Sequence, residues 1–317
     1  MSGKAVRKAF TREFKALGRN SRAASALIVT SYFVQVLGSI GVGYWLLQLE
    51  VTFVTGAGLA ALIFFIGTRL RAFNNIVHEC SHFTFCERRA DNLLYGSLCA
   101  SVILGCYHDY RDEHITHHAH LGDYEHDHDL QGIRDLRLED PLTATTLLRH
   151  LLTVASGYYL PYYLKINLSA RDGCIFAALK VALIGLSGLF LLLDPVAALL
   201  LVGLPFIWVF TAINYLTDCV DHGGLIDAED ELESSRNLPI AKPLSPLLFP
   251  RNDCYHLVHH LFPQVPAHHL DTCHERLMTH PDYRARMKVP TFGRAIRSGV
   301  GGTEGDGGLA GWRLARE

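Results

Sequence analysis

The sequence predicts an all-α integral membrane protein in which four transmembrane helices form two hairpins below a cytoplasmic helical cap rich in histidine. Three observations predict this fold. Only 19% of the 317 residues are charged and 49% are hydrophobic, whereas soluble domains average about 25% charged residues. Long uncharged segments recur in pairs. All 18 histidines lie outside these apolar segments, and most of them fall in two stretches of the chain.

The first predicted hairpin occupies the amino-terminal third of the chain. Residues 24–49 carry no charge, and at about 1.5 Å per residue a helix of this length crosses a hydrocarbon core of about 30 Å. Residues 51–67 follow after the single acid Glu50 and are also uncharged. We therefore expect a tight helical hairpin whose second helix continues toward His78.

The second predicted hairpin begins after residue 173. Residues 174–193 carry only Lys180, and residues 196–216 are uncharged. Asp194 and Pro195 separate the two segments and are typical of a turn. Both segments are long and apolar enough to span a bilayer.

Two further apolar segments lie between the hairpins. Residues 93–107 and 147–166 are short or interrupted by polar residues and proline, which is typical of re-entrant, interfacial or protein-buried helices. The sequence thus predicts three regions: a basic amino-terminal segment over 1–23, a membrane domain over 24–297, and a glycine-rich flexible tail over 298–317.

Charge predicts which way the spans face. The first 23 residues hold one acid, Glu13, and seven basic residues: Lys4, Arg7, Lys8, Arg12, Lys15, Arg19 and Arg22. Loop basicity marks the cytoplasmic side of a membrane protein. With two complete hairpins, both termini and both histidine-rich stretches face the cytoplasm. The expected location is the inner or plasma membrane if the protein is bacterial.

Composition also excludes two other classes of protein. The formal net charge is −2 and the sequence has no basic stripe, which argues against a nucleic-acid partner because such binding depends on clustered Lys and Arg. The eight cysteines form no Cys-x-x-Cys pair, so neither a zinc ribbon nor a disulfide framework is indicated.

The histidines repeat a helical spacing. Residues i and i+3 or i+4 lie on one face of a helix, and this spacing recurs in three clusters followed by an Asp-x-x-x-His pair: His78 and His82; His114, His117 and His118; His256, His259 and His260; Asp218 and His222. A lone histidine is usually a surface or core residue. Nine convergent imidazoles exceed the three or four ligands of one zinc site and suggest two metal ions.

This pattern resembles the membrane di-iron fatty acid desaturase and hydroxylase superfamily, whose boxes read HxxxH, HxxHH and HxxHH. Residues 252–267 (NDCYHLVHHLFPQVPA) are similar to the third box of bacterial desaturases along their whole length. With the hairpin spacing, the resemblance covers residues 24–277. It implies that all eight box histidines bind two iron ions and that His222 is a ninth ligand.

The resemblance also implies a reaction and its partners. It implies O2-dependent desaturation or hydroxylation of an unactivated C–H bond in a fatty acyl chain or another lipophilic substrate from the bilayer, with zinc as a substitute metal in purified protein. No fused cytochrome b5, flavin or nicotinamide fingerprint is visible, so we expect a separate donor: ferredoxin, rubredoxin or cytochrome b5 with its reductase. Desaturases of this type carry an asparagine where this chain has Asp218. That catalytic candidate would ligate iron directly, act through water, or hold an imidazole.

Two other functional classes fit parts of the sequence. His78-Glu79-x-x-His82 is the zinc metalloprotease signature with Glu79 as general base, and it would describe a zinc-dependent intramembrane hydrolase or protease that needs no O2. A metal transporter or sensor would carry ionisable groups within its spans, and these spans have almost none.

Several other polar residues admit two interpretations each. Asp127 or Asp129 would accept a ring N–H from a ligating histidine or belong to a solvated loop. Arg111 would pair with a carboxylate near the site or with an acidic substrate group. The acidic run 227–233 is a solvated loop or a docking patch for a basic electron donor. A cluster of four tyrosines favours an interfacial aromatic belt over a cavity lining: Tyr158, Tyr159, Tyr162 and Tyr163.

Overall fold

The computed structural model describes residues 2–121, 123–226, 228, 230–238, 240 and 244–287. The predicted tail over 298–317 lies outside these residues. The α-helices follow one another along the chain: α1 Gly3–Lys15, α2 Arg22–Leu47, α3 Phe53–Ser81, α4 Arg89–Val102, α5 Tyr107–His120, α6 His128–Gln131, α7 Ala144–Ser156, α8 Leu160–Tyr163, α9 Cys174–Leu193, α10 Pro195–Ala198, α11 Thr211–His222, α12 Ser245–Leu248, α13 His256–Leu261, α14 Leu270–Leu277 and α15 Pro281–Met287.

Four helices of the described chain are long and apolar enough to cross a membrane. They are α2, α3, α9 and a continuous helix over Pro195–His222. That last helix consists of α10, a π-helical stretch over Leu199–Phe210 and α11. The predicted number of spanning segments is confirmed, and their bounds differ from the prediction by a few residues at the ends.

The helix α3 is the centre of the molecule. It packs against α2, α4, α5 and the π-helical stretch. Gly67 permits the last of these contacts, since a Cβ atom at this position would lie 2.3 Å from a side-chain carbon of Val209. From Ile66 onward α3 is buried except at Asn74 and His78, so its final turns are closely packed.

The π-helical stretch contains Pro205, which lacks a backbone N–H and in an α-helix would clash with the carbonyl four residues earlier. A wider π-helical turn avoids that conflict, and such turns are frequent at functional sites. The helix then resumes α-helical geometry in α11, whose last residue is His222.

The basic amino-terminal segment forms a packed helix rather than a solvated tail. Val6, Phe10 and Phe14 of α1 are buried against a cluster that includes Leu257 and Leu261 of α13. These three positions recur every four residues and so share one helix face. The apolar stripe of α1 therefore packs against α13, while its basic residues lie on the other faces of the helix.

The acidic run also contacts α1 in its described part. Asp230 accepts a hydrogen bond from the Gly3 N–H at 2.9 Å, where the helix begins. Glu231 forms an ion pair with Arg7 at 2.7 Å. A carboxylate at a helix amino terminus is favourable, so these acids hold α1 in place. Asp227 and Glu229 lie outside the described residues.

Candidate metal centre

The first histidine cluster lies at the end of α3. His78 belongs to its last turn, and His82 is the residue that caps its carboxyl end. Because α3 is buried along its final turns, the two imidazoles have fixed positions. The second cluster lies in α5 and the third lies in α13.

The nine predicted histidines converge into two groups in which the ligating nitrogens lie within 4.8 Å of one another. We call these the five-imidazole group and the four-imidazole group: His78, His82, His114, His118 and His259 in the first, and His117, His222, His256 and His260 in the second. The helix α3 serves only the first group and α11 only the second, whereas α5 and α13 serve both.

Helix geometry explains how one box serves two groups. Consecutive residues of an α-helix are about 100° apart, so neighbouring histidines point in different directions. His117 joins the four-imidazole group while His118 joins the five-imidazole group. His259 and His260 divide in the same way. Each HxxHH box therefore sends its last two histidines to different groups.

The ring nitrogens within each group are in direct contact. In the five-imidazole group, the Nε2 atoms of His78 and His259 are 2.8 Å apart, and those of His82 and His114 are 2.9 Å apart. In the four-imidazole group, the Nε2 atoms of His222 and His256 are 2.9 Å apart. His118 and His260 stack at 4.4 Å between ring centroids, which brings the two groups side by side.

Six of the imidazoles have a lowered pKa, which favours their neutral form. Burial and the neighbouring imidazoles lower the pKa of five of them well below the usual value of a histidine: His82, His118, His256, His259 and His260. Burial also lowers the pKa of His114. Neutral imidazole is the form that binds metal. A neutral imidazole has only one N–H group, so ring nitrogens that face one another cannot all be satisfied by hydrogen bonds among themselves. The donor set therefore fits two divalent transition-metal ions.

Outward-facing ring nitrogens have acceptors that fix their orientation. Nδ1 of His117 donates to Oδ2 of Asp127 at 2.9 Å, and Nδ1 of His222 donates to the carbonyl of Ser234 at 3.1 Å. Such bonds set the tautomer so that Nε2 presents a lone pair. Burial disfavours a charged His117, but the hydrogen bond and charge of Asp127 outweigh it and raise its pKa.

Weaker carboxylate contacts complete this outer layer. Nδ1 of His114 lies 3.7 Å from Oδ2 of Asp129, and Nδ1 of His256 lies 3.5 Å from Oδ2 of Asp221. The sequence pointed to Asp127 and Asp129. It gave no sign of Asp221 or Ser234, although Asp221 immediately precedes His222.

Asp218 belongs to neither group. Its Oδ2 accepts a hydrogen bond from the hydroxyl of Tyr163 at 2.7 Å. It lines the same cavity as His117 and His222. The favoured interpretation of the tyrosines as a membrane belt was therefore wrong for Tyr163, which faces this cavity. Tyr159 is also fully buried.

Glu79 is held in an ion pair. Its two carboxylate oxygens accept hydrogen bonds from Nε and Nη2 of Arg251 at 2.7 and 2.9 Å, and both side chains are buried. A bidentate pair of this kind occupies the carboxylate. Glu79 therefore lacks the free oxygens that a general base would need.

A cavity of about 250 Å³ adjoins both imidazole groups. His78 and His114 of the five-imidazole group and His222 and His256 of the four-imidazole group lie in its wall. The rest of the wall combines polar residues with an apolar side: Ile103, Leu130, Ile133, Leu164, Phe206 and Phe210.

The remaining predicted features have other partners. Arg111 donates to the carbonyl of Ser81 at 3.0 Å rather than pairing with a carboxylate. His108 bonds to Asp172, and His150 contacts the Tyr215 hydroxyl. These two histidines therefore lie outside both imidazole groups and have hydrogen-bond partners of their own.

Comparison with known proteins shows the family of the chain. The family model described as fatty acid desaturase matches residues 52–290, a range that contains all nine grouped histidines. The chain belongs to the fatty acid desaturase family. This family member is also similar to individual desaturases of plants and cyanobacteria.

Three relatives indicate the extent of that similarity. An omega-3 fatty acid desaturase of the chloroplast of Glycine max is 27% identical over 64% of this chain and 51% of its own length. An sn-2 acyl-lipid omega-3 desaturase (ferredoxin) of Helianthus annuus is 26% identical over 64% of this chain and 52% of its own. An sn-1 oleoyl-lipid 12-desaturase of Anabaena variabilis is 33% identical over 30% of this chain and 26% of its own. The chain spans about half the length of the first two relatives.

Proposed function

We propose that this protein is a membrane di-iron oxidoreductase that uses O2 to desaturate or hydroxylate an unactivated C–H bond of a fatty acyl chain or another lipophilic substrate. The observation that carries the proposal is the division of nine buried or half-buried imidazoles into adjacent groups of five and four. Desaturation is favoured over hydroxylation because the three relatives described above are named as desaturases.

In this proposal each imidazole group holds one iron. All-imidazole ligation leaves the charge of the metal largely uncompensated, and two irons so held would supply the activation of O2 that unactivated C–H bonds require. The protein contributes orientation and exclusion of water. Asp127 and the Ser234 carbonyl hold the rings of His117 and His222, and burial keeps most of the imidazoles neutral.

The cavity beside the two groups is the proposed substrate site. Its apolar side, which includes Ile103, Phe206 and Phe210, would lie along the acyl chain, and its imidazole wall would face the carbon to be oxidised. The Tyr163 hydroxyl donates a hydrogen bond to Asp218, so the Asp218 carboxylate already has a partner. We therefore propose that Asp218 shapes the cavity wall and does not bind iron directly.

We propose that the spans form two hairpins with the site and both termini on the cytoplasmic side. The carboxyl ends of α3 and α11 both reach the imidazole groups, so these two helices would cross the bilayer in the same direction. The basic residues preceding α2 would mark the cytoplasmic side.

The reaction needs electrons from outside the chain. Forming one double bond removes two hydrogens from neighbouring carbons. O2 accepts these hydrogens together with two further electrons and two protons, and it leaves as two water molecules. Two relatives carry the name of a donor, ferredoxin in one and cytochrome b5 in the other. We infer that a separate protein of this class reduces the site.

The zinc hydrolase alternative is disfavoured by particular contacts. It requires Glu79 as a free base, but Arg251 occupies both oxygens of that carboxylate. It would also leave seven further clustered imidazoles without a role.

The test is O2-dependent change of an acyl chain. The purified protein is placed in vesicles of dioleoyl phosphatidylcholine with a reduced plant-type ferredoxin, and the acyl chains are analysed by gas chromatography and mass spectrometry. We expect a new double bond or hydroxyl group in air and none under anaerobic conditions. Hydrolysis products in both atmospheres would instead support the zinc hydrolase.

A further inference from the structure

The carboxyl end of α3 has an unusual cap. The Phe83 N–H bonds to the carbonyl of Cys80, and the Thr84 N–H bonds to the carbonyl of Glu79, both at 3.0 Å. This pair of bonds is the Schellman motif, whose left-handed position is usually glycine. Here that position is Phe83, with φ of 56°. A left-handed conformation is unfavourable for a non-glycine residue, and strained positions of this kind cluster at functional sites.

The ring of Phe83 contacts two cations. The guanidinium carbon of Arg89 is 4.6 Å from the ring centroid, and that of Arg111 is 4.9 Å away. Arg89 is exposed, while Phe83 and Arg111 are half-buried. Within the described part of the chain, no carboxylate forms an ion pair with Arg89 or Arg111. The neighbouring Arg88 is exposed as well, and Glu87 is the one acid between Phe83 and Arg89.

This patch adjoins the five-imidazole group. Phe83 follows His82 directly in the chain, and Arg111 lies one helical turn before His114 in α5. Arg111 is also tied to the end of α3 through the Ser81 carbonyl. A protein docked on Phe83 would therefore approach a member of the imidazole group without an intervening helix.

We propose that Phe83, Arg89 and Arg111 form the docking surface for the electron donor, a ferredoxin that presents an acidic face. This inference rests on the proposed function. Guanidinium groups without an ion-pair partner among the described residues attract carboxylates across an interface and speed association. The half-buried ring of Phe83 adds aromatic surface of the kind enriched in docking surfaces. The half-buried Phe83 directly follows His82 in the chain.

The test compares two sources of electrons. Turnover of dioleoyl phosphatidylcholine is measured with a plant-type [2Fe–2S] ferredoxin and its reductase, and separately with dithionite as a small-molecule reductant. The variants are Arg89→Glu, Arg111→Gln and Phe83→Gly. The last variant suits the left-handed backbone, so loss of its ring is separated from loss of fold. Lys8→Glu is the matched control, because Lys8 is exposed on α1 and carries the same charge change.

We expect Arg89→Glu to raise the KM for ferredoxin about tenfold at low salt, with a smaller rise at high salt because salt screens exposed charges. Arg111→Gln and Phe83→Gly should also raise the KM for ferredoxin. Turnover with dithionite and the iron content should match those of the wild-type protein. A KM for ferredoxin that changes no more than in Lys8→Glu would overturn the proposal.

Two further outcomes distinguish this proposal from binding of anionic lipid and from failure of the proposed function. If the variants lose activity only in vesicles containing phosphatidylglycerol, and do so with both reductants, the patch binds anionic lipid and the docking proposal is wrong. If the wild-type protein gives no O2-dependent product with either reductant, the proposed function itself fails. Wild-type turnover with both reductants and unaltered variants would refute the docking surface alone.

Discussion

The two imidazole groups are built from similar boxes but are supported in different ways. In the four-imidazole group, acceptors lie within 3.5 Å of the outward nitrogens of His117, His222 and His256. In the five-imidazole group, the acceptor that the described residues offer to the outward nitrogen of His114 is Asp129, at 3.7 Å. The ion pair between Glu79 and Arg251 instead holds the end of α3 that carries His78 and His82.

The difference shows two ways to fix a ligand. A carboxylate bonded to an imidazole orients that ring and raises its basicity. A buried ion pair fixes the helix that carries the rings, because the third box is attached to α3 through Arg251. Arg251 itself has a left-handed backbone with φ of 68°, and the pair with Glu79 helps to maintain it. Damage to the two groups should therefore differ in kind.

The largest effect should come from removing one ligand from each group. We expect His118→Ala and His260→Ala each to lower the iron content by about one ion per chain and to abolish turnover, since in the proposed centre each variant lacks one ligand of a different iron. Iron is quantified by plasma mass spectrometry of the purified variants. His126→Ala, an exposed histidine outside both groups, is the control. Full iron and full activity in both variants would refute the assignment.

The next effect should be one of stability and should concern the five-imidazole group. Glu79→Gln leaves Arg251 buried without its partner, and breaking a buried pair typically costs about 3–5 kcal/mol. Thermal unfolding in detergent would measure the loss. Glu13→Gln breaks the exposed pair with Arg276 and should change stability little. An unchanged unfolding temperature together with abolished catalysis in Glu79→Gln would favour Glu79 as a catalytic base.

A smaller effect should distinguish the four-imidazole group. Asp127→Asn weakens the support of His117 while retaining an oxygen for the Leu130 N–H that Asp127 caps. Loss of such a partner typically costs 10- to 100-fold in metal affinity or activity. Competition with a chelator measures the affinity. Asp123→Asn, in the same loop and exposed, should leave it unchanged, and equal losses in both variants would contradict the role of Asp127.

The smallest effect on metal content should come from Asp218. We expect Asp218→Asn to retain two irons per chain, because its carboxylate bonds to Tyr163 and lies outside both groups. Tyr163→Phe should also retain two irons per chain. A loss of about one iron in Asp218→Asn, with none in Tyr163→Phe, would make Asp218 a ligand.

Local pattern predicted much of this architecture. Long apolar runs with at most one charge predicted the spans, and the spacing of residues such as His78 and His82 predicted shared helix faces. The separation of His117 from His118 follows from helix geometry, but the group that each joins depends on how α5 lies against α3 and α11. That arrangement is tertiary and leaves no mark on local spacing.

Contacts between distant residues could not be predicted. Glu79 and Arg251 are 172 positions apart, and nothing near either residue indicates the other. The same holds for Tyr163 and Asp218, which is why an aromatic cluster suggested a membrane belt. The packing of α1 against α13 is another contact of this kind, since Phe14 and Leu257 lie far apart in the chain.

The metal content of the wild-type protein tests the central claim most directly. Protein purified from iron-supplemented cells is analysed for iron and zinc and then assayed for acyl-chain oxidation with and without O2. The account predicts close to two irons per chain and product only in the presence of O2. A single zinc ion per chain, with turnover that continues without O2, would contradict it.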